Sequence, residues 1–436
     1  MSPRPLRVNK NKQISSIDTV SDKLRQNINM SVVPTDKIKA GQILAAEVRD
    51  KNGRLLLSKG QAIEPNHIRI FKIWGISEVD IVGDDCSDDS PDPLMDSAMI
   101  EQTKNCVETL FCLVDLEHPA LNEICRIAMQ FRCQNNIIVT DDHLAVDNPS
   151  IPKHDRKKDF LKKLNKKNII LPEIPSLASE LNEVIENPMS SAEHIARVVS
   201  RSPSLTAVLL KIVNSSFYSL PSKISTVSHA VSLIGTQEIS VLALGISVLS
   251  VFKNIPKETI DMRSFIRHSL VCGLLSRIFA AHKNVPQTEQ LFVSGLLHDL
   301  GRLILYNYFP DESRNVLARS RNGNTLLYEE EKDYLGCDHA QLGVQLMKQW
   351  KLPLILENNI LYHHKPSEAQ QSVPAAIVHL ADIIANSLGI GSSGEKLIPP
   401  LDDNAWENLE LSPSSFETII GQATHQFHAL DQILHA

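Results

Sequence analysis

The chain has 436 residues, which is enough for two or three domains with buried cores. Its 42% hydrophobic and 22% charged residues are typical of a globular protein, and 5% aromatic residues argue against an all-β sandwich. The net charge of −7 argues against a general nucleic-acid binder. No apolar run reaches the ~20 residues that a membrane helix needs, and seven cysteines without a CxxC pair indicate free thiols in a reducing cytoplasm.

The first 83 residues predict a tail followed by a small folded module. Residues 1–30 are polar and have no sustained apolar period, so we interpret them as a mobile tail. Residues 31–83 have the pattern strand, turn, strand, helix, strand, with a hairpin signal at Asn52-Gly53 between two apolar runs. This pattern predicts a small mixed α/β module, and the module carries no catalytic constellation.

Three segments connect this module to the rest of the chain. Residues 84–93 are acidic and interrupted by proline; they lack the ligand spacing of a calcium loop, so we interpret them as a solvated linker. Residues 94–152 predict a helical connector of two helices broken near His118-Pro119. Residues 153–167 are strongly basic and predict a linker helix, either a solvated connector or an amphipathic helix that meets an anionic partner.

From residue 168 to residue 390 the pattern is that of nearly continuous helix with short loops. Breaks are expected near Ser202-Pro203 and at Gly235, where proline and glycine interrupt the apolar period. Strands do not alternate with helices, and no glycine-rich phosphate loop is present, so nucleotide-binding α/β folds have little support. Residues 391–436 predict closing helices.

Histidines and aspartates recur on apolar helical faces throughout this region. The first pair, His298 and Asp299, lies inside VSGLLHDLGRLIL, where an ionised carboxylate among leucines is costly without a compensating partner. The other candidates are His268, His339, His363, His364 and Asp382. Imidazole and carboxylate groups together can hold a divalent metal ion. A buried His–Asp hydrogen-bond network without metal is the alternative that the residues alone leave open.

Six segments in this order resemble an HDOD domain, a relative of the HD superfamily and its HD-GYP branch. They are IPSLASELNEVIENP, SPSLTAVLLKIVNSSFYS, ISTVSHAVSLIGTQE, GLLHDLGRLIL, DHAQLGVQLMKQWKLP and ILYHHKP. The chain departs from the family pattern at Ser202-Pro203, where the family usually has Asp-Pro, and at Arg302, where the family's phosphodiesterases have lysine. It also has neither a glutamate after the histidine pair nor a Gly-Tyr-Pro loop.

The resemblance implies a mainly α fold and a dinuclear metal site. One ion would be held by His268, His298, Asp299 and Asp382, and Asp299 would bridge to a second ion held by His339, His363 and His364. Iron or manganese suits such ligands. If the protein is an enzyme, Asp299 and Arg302 are the expected catalytic residues, with Arg302 facing phosphate, although arginine and lysine are not interchangeable.

The expected function is that of a cytoplasmic signal-transduction regulator that acts on a signalling protein partner or a small nucleotide-like ligand. No nucleic-acid partner and no membrane partner are expected. The alternative is a metal-dependent phosphohydrolase or phosphodiesterase acting on a nucleotide, such as a cyclic dinucleotide. Convergence of the seven ligands beside a cleft lined by Arg302 would favour hydrolysis, whereas convergence without an open face would favour a structural or sensory metal.

Overall fold

The structure is a computed structural model, and it describes residue 17, residues 30–138, residue 160 and residues 173–434. Short gaps lie at 36–37, 46, 50–54, 74–75, 77, 83–92, 188–189, 216–217, 219, 221 and 253–254. The predicted tail before residue 30, the Asn52-Gly53 turn, the acidic linker and the basic run fall almost entirely outside these residues. None of the described helices is long and apolar enough to cross a bilayer.

The chain divides into two compact units, one of residues 14–108 and 129–138 and the other of residues 1–13, 109–128 and 139–436. Within residues 30–82, the smaller unit has five short strands, β1 to β5, and a helix, α1, which follows β4; it also includes parts of the two helices that come next in the chain. The strands are Met30–Pro34, Ile43–Leu44, Val48–Arg49, Leu55–Leu57 and Glu78–Val82, and the helix is Pro65–Ile73. The order strand, strand, helix, strand agrees with the sequence pattern, but its first predicted strand, in residues 40–50, forms two short strands, β2 and β3, and the pattern did not predict β1.

The strands of the smaller unit form two antiparallel sheets, one of three strands and one of two, around an apolar core. β5 lies between β1 and β2, with Met30 opposite Val82 on one side and Ile43 opposite Val82 on the other, and β3 pairs with β4. α1 contributes Phe71 to a buried cluster with Leu44 and Ile63. This packing supplies the hydrophobic face that a three-stranded sheet needs for stability.

The remaining helices, α2 to α18, confirm a mainly α protein. They are Pro93–Leu110, Pro119–Gln134, Ser176–Glu186, Ala192–Ser200, Pro203–Val213, Val227–Ile234, Thr236–Leu249, Met262–His282, Thr288–Leu297, Leu300–Tyr308, Pro310–Gly323, Leu327–Leu335, His339–Gln349, Leu354–Tyr362, Ser372–Leu388, Asp403–Leu409 and Phe416–Leu434. Short 3₁₀ turns lie at Pro366–Glu368 and Pro413–Ser415.

The helix boundaries follow local chemistry. Ser202 caps α6 by accepting a hydrogen bond from the Leu205 amide at 3.3 Å, with Pro203 in the first turn, so serine fills the capping role that aspartate would have there. Gly235 separates α7 from α8 with a backbone φ of 118°, a value that favours glycine. Both breaks occur where the sequence predicts them.

The helices that carry the candidate ligands pack against one another in the larger unit. α9 packs on α10 and α16, α11 packs on α14, and α15 contacts α10, α14 and α16. Glycines permit the closest approaches: a Cβ atom at Gly273 would lie 2.8 Å from the Phe292 carbonyl oxygen, and one at Gly295 would lie 2.7 Å from the Cys272 carbonyl oxygen. A Cβ atom at Gly301 would overlap the carbonyl group of His339. These contacts place the ligand-bearing faces of the helices together.

Candidate metal centre

His298 and Asp299 lie at a junction between two helices. The sequence pattern predicts a single helix through this stretch, but α10 ends at Leu297 and α11 begins at Leu300. The break leaves Asp299 at the start of α11 with no side-chain capping bond, so its carboxylate is available to other groups. Both side chains are buried, which excludes a half-exposed helix terminus at this point.

All seven predicted ligand residues meet in one place, in two groups of four donor atoms. The first group contains the Nε2 atoms of His268 and His298, Oδ2 of Asp299 and Oδ1 of Asp382. The two Nε2 atoms are 3.4 Å apart, and both approach Asp382 Oδ1, at 3.3 and 3.4 Å. Asp299 Oδ2 lies 3.1 Å from His298 Nε2 and 3.8 Å from His268 Nε2.

The second group contains the Nε2 atoms of His339, His363 and His364 with the other oxygen of Asp299. His339 Nε2 lies 3.2 Å from His363 Nε2, 3.1 Å from His364 Nε2 and 3.0 Å from Asp299 Oδ1. Each oxygen of Asp299 therefore belongs to a different group. That arrangement is the one a bridging carboxylate needs.

The separations fit ligands around metal ions. Donor atoms at ~2.1 Å from one ion lie roughly 3.0 Å apart at right angles and roughly 3.4 Å apart at tetrahedral angles. The distances in the second group, 3.0–3.2 Å, lie within this range, and in the first group only the 3.8 Å between His268 and Asp299 exceeds it. The three histidines of the second group, and His268 with His298 and Asp299 in the first, also lie close enough for one ion per group.

Hydrogen bonds at the Nδ1 atoms of three histidines favour the tautomer whose Nε2 lone pair can bind a metal ion. Nδ1 of His298 donates to the Gly295 carbonyl oxygen at 2.7 Å, and Nδ1 of His363 donates to the Ile360 carbonyl oxygen at 2.7 Å. His339 Nδ1 donates to Glu331 Oε2 at 2.6 Å. A neutral imidazole that donates through Nδ1 presents a lone pair at Nε2. The facing Nε2 atoms of His339 and His363 then need a cation between them.

Orphaned polar atoms indicate the same requirement. Asp299 Oδ1 is buried and accepts no hydrogen bond within the described residues. A buried acceptor left unsatisfied costs ~1–3 kcal/mol, and more when it is charged. A proton on a histidine or a metal ion would remove this cost, and only a metal ion would satisfy three or four donor atoms together. The residues present therefore fit a pair of divalent ions.

The charge states of Asp299 and His363 suit metal binding, whereas that of His339 requires the loss of a proton. Burial raises the pKa of Asp299, but the charges of Arg302 and His298 outweigh it and hold the pKa of that carboxyl well below its usual range. Burial lowers the pKa of His363 to about 3, with the charges on neighbouring histidines acting in the same direction. Burial opposes a charged His339, yet the Glu331 carboxylate raises its pKa to about 9, so a metal ion would have to displace a proton from this ring at neutral pH. Ionised carboxylates and a neutral imidazole are the forms that bind metal.

Arg302 lies among buried carboxylates. Its Nη1 donates to Asp299 Oδ2 at 3.1 Å, and its Nε lies 3.5 Å from Glu331 Oε1. The side chain is 2% exposed, so within the described residues it does not line an open cleft. In this position the guanidinium balances negative charge beside the first ligand group.

Sequence reasoning missed three residues that support the site. Glu331 holds His339 through both the ring nitrogen and the backbone amide, at 2.6 and 2.8 Å. Ser393 and Glu395 contact Arg302 from the loop after α16, at 2.6 and 3.8 Å. Glu331 shares a helical face with Leu327 and Leu335, and that spacing could have revealed it.

His379 is a further supporting residue, for which the sequence left second-shell support and packing both open. Its Nδ1 donates to the His363 carbonyl oxygen at 2.7 Å, and its Nε2 accepts from the Asp402 amide at 3.3 Å. The ring thereby fixes the backbone of a candidate ligand.

The exposed side of the site lies near the histidine pair. His364 is half-buried, whereas the other six ligand residues are buried. The ring of Tyr328 stacks on His364 with centroids 4.2 Å apart and an interplanar angle of 17°. The second ligand group is therefore the one nearer to solvent.

The larger unit is a helical bundle with a buried His/Asp cluster, and comparison with known proteins identifies a domain within it. Residues 171–366 match the HDOD domain family, so the chain contains an HDOD domain. An uncharacterized protein of Treponema pallidum is 23% identical over 213 residues. That match covers 48% of this chain and 41% of the relative, so the chain spans less than half of the relative's length.

Solved structures share the fold. A Shewanella amazonensis protein named "Putative phosphohydrolase" is 21% identical, with a TM-score of 0.51, and the match covers 65% of this chain and 100% of that one. A Marinobacter aquaeolei protein named "Putative signal transduction protein" is 16% identical, with a TM-score of 0.50, and the match covers 96% of this chain and 99% of that one. At these identities the likeness establishes the fold alone.

Proposed function

We propose that this chain is a cytoplasmic signal-transduction regulator whose HDOD domain holds two divalent metal ions. His268, His298, Asp299 and Asp382 would hold one ion, and His339, His363, His364 and Asp299 the other. The observation that carries this proposal is the division of the two Asp299 oxygens between the two groups of donor atoms. Iron and manganese are the ions that these nitrogen and carboxylate ligands suit best.

The burial of the site supports regulation over catalysis. Six of the seven ligand residues are buried. Arg302, the residue that would face a phosphate in an enzyme, forms a hydrogen bond to Asp299 and lies beside Glu331. Bound ions would stabilise the folded domain, because they bind the native arrangement of ligands and not the unfolded chain. The domain would then act on a signalling protein partner or a small nucleotide-like ligand.

Elemental analysis of protein purified without chelator tests the metal site. We expect about two equivalents of transition metal in the parent and little in Asp299→Ala, since one carboxylate serves both ions. Asp261→Ala is the matched control: Asp261 caps α9, the helix that carries His268, and accepts from the Arg263 and Ser264 amides. This control loses ~1 kcal/mol of capping energy but no ligand. A metal-free parent would contradict the proposal.

A metal-dependent phosphohydrolase is the second candidate. The half-buried His364 favours it, because the second ligand group lies near solvent, and a catalytic metal needs an accessible coordination position. The name of the Shewanella amazonensis relative is consistent with this activity. Two adjacent ions would supply Lewis acidity and clamp a phosphate. Hydrolysis of a cyclic dinucleotide by the metal-loaded parent, absent in Asp299→Ala, would favour this candidate over the regulator.

A further inference from the structure

The three histidines of the second ligand group are not supported in the same way. Nδ1 of His339 donates to Glu331 at 2.6 Å, and Nδ1 of His363 donates to the Ile360 carbonyl oxygen at 2.7 Å. Nδ1 of His364 is buried and has no hydrogen-bond partner within the described residues. A hydrogen bond at that nitrogen normally fixes the tautomer and orientation of a ligating ring. His364 therefore lacks the support that the other two rings have.

The imidazole of His364 must be held in one orientation if it is a ligand. Its Nε2 lies 3.1 Å from Nε2 of His339, where the two nitrogens can share an ion. The χ2 torsion of histidine is broad and roughly two-fold, so the ring can turn about its Cβ–Cγ bond. After half a turn, a carbon atom would take the place of Nε2. A contact other than a hydrogen bond at Nδ1 has to prevent this rotation.

The ring of Tyr328 supplies such a contact. Its centroid lies 4.2 Å from that of His364, and the two ring planes differ by 17°. Rotation of the imidazole about Cβ–Cγ would turn its edge towards the tyrosine ring, so the stack resists the rotation. Aromatic pairs are also attractive beyond the area that they bury. Among the described residues, the other aromatic contacts of His364 are with His339 and His363, so Tyr328 holds the ring from outside the ligand set.

The position of Tyr328 on α13 connects it to the other support of the second group. Tyr328, Glu331 and Lys332 are spaced by three and four residues, so they lie on one side of the helix. Nζ of Lys332 lies 5.4 Å from the centroid of the Tyr328 ring and 2.6 Å from Asp338 Oδ2. A cation near an aromatic face is attracted to it. Because Glu331 binds His339, one short helix supports two of the three histidines.

The stack also lies on the solvent side of the second group. Tyr328, Lys332 and His364 are half-buried, whereas His339 and His363 are buried. His364 is thus the ligand that solvent reaches most readily, and it is the one without a hydrogen bond at Nδ1 in the described part of the chain. The second ion would be lost most easily through this ligand.

We propose that Tyr328 is a positioning residue for the second metal ion, because its ring holds His364 in the orientation that presents Nε2 to the ion. This role rests on the proposed function, since it requires an ion in the second group. It adds that a residue outside the seven ligands determines how tightly that ion is held. Removing the hydrogen-bonding partner of a ligating histidine lowers metal affinity roughly 10- to 100-fold. A stack is weaker than such a bond, so we expect a loss of about 3- to 10-fold.

The test titrates Co²⁺ into the full chain after metal removal, with a fluorescent chelator as competitor, and measures the affinity of each ion. Tyr328→Leu removes the ring, and Tyr328→Phe keeps it. Tyr334→Leu is the matched control, because it is the same change on the same helix at a ring that lies 5.7 Å from the guanidinium carbon of Arg319. We expect the second ion to bind about 3- to 10-fold more weakly in Tyr328→Leu than in Tyr334→Leu, with the first ion unchanged.

Two further readouts separate positioning from a general effect on folding. Tyr328→Phe should bind both ions as the parent does, because the ring is retained. The visible absorption of bound Co²⁺ depends on its ligands, so we expect the spectrum of the second ion to change in Tyr328→Leu and not in Tyr328→Phe. If Tyr328→Leu does not fold, Tyr328→Met, which also lacks a ring, takes its place in the same comparison.

The outcomes distinguish this role from the metal pair itself. A parent without an ion in the second group contradicts the proposed function, and the role of Tyr328 falls with it. A parent with two ions, and equal affinities in Tyr328→Leu and Tyr334→Leu, overturns the role of Tyr328 alone. Equal weakening of both ions in Tyr328→Leu also overturns it, because the domain as a whole would then be loosened. An equal loss in Tyr328→Phe overturns it as well, since the hydroxyl group and not the ring would be responsible.

Discussion

Replacing Glu331 with glutamine tests how the structure prepares its histidines for metal. Glu331 Oε2 accepts from Nδ1 of His339 at 2.6 Å and from the His339 amide at 2.8 Å, while Oε1 lies 3.5 Å from Arg302 Nε. One carboxylate thus fixes the tautomer, the ring orientation and the backbone of a candidate ligand. Glutamine keeps the size of the side chain and an acceptor oxygen but removes its charge.

The expected loss follows from this role. Removing the partner of a ligating histidine lowers metal affinity 10- to 100-fold, or roughly 1.4 to 2.7 kcal/mol. We expect a value near the upper end, because a charge-assisted bond to the ring and a bond to the backbone are both weakened. In the part of the chain that the structure describes, the polar contacts of Glu331 go to His339 and Arg302 and not to the first ligand group, so we expect the second ion to be lost first.

Competition with a fluorescent chelator of known affinity measures this effect for both ions. Glu330→Gln is the control, since Glu330 is the neighbouring residue and accepts from Thr325 Oγ1 at 3.0 Å, outside the site. If Glu331→Gln binds both ions as tightly as Glu330→Gln does, the role assigned to Glu331 is refuted. Equal weakening of both ions would refute the division into two groups.

Three further predictions concern stability. Gly301→Ala would place a Cβ atom against the carbonyl group of His339, and we expect urea unfolding to show a free energy of unfolding lower by ~1–3 kcal/mol. Gly421→Ala is the control: no atom lies within 4 Å of the new Cβ, so this change should be neutral or stabilising. His379→Ala leaves the buried carbonyl of His363 without its 2.7 Å bond, and we expect ~1–3 kcal/mol of destabilisation in chelator-treated protein and weaker metal binding in loaded protein. Chelation should lower the thermal midpoint, because ions at about 1,000 times their Kd stabilise the native state by ~4 kcal/mol; an unchanged midpoint would contradict tight binding to the native state.

The sequence was sufficient to predict a mainly α fold and to propose that the seven ligand residues form one metal site. Helical periodicity places His268 and Asp382 on buried faces without knowledge of their partners. Their convergence is a tertiary property, and it came from the resemblance to the HDOD family. Periodicity also predicted an uninterrupted helix through His298 and Asp299, because apolar residues continue on both sides of the break between α10 and α11.

The supporting residues escaped prediction for physical reasons. Glu331 lies in the acidic run LYEEEKDYL, and such runs usually form solvated faces. Glu395 and Ser393 lie in a loop without periodicity, and Ser393 reaches Arg302 across 91 positions of the chain. The burial of Arg302 depends on those loop contacts, so the helix containing it could not reveal whether its guanidinium faces a ligand or a carboxylate.

The most direct test of the metal pair is anomalous diffraction from crystals of the full chain grown without chelator, with data collected at the iron and manganese edges. We expect two peaks roughly 3.5–4 Å apart on either side of Asp299. One peak between the Nε2 atoms of His339, His363 and His364 alone would reduce the site to a single ion. No peak, with the histidine nitrogens still facing one another, would mean that protons hold the cluster together and would contradict the proposal of a metal centre.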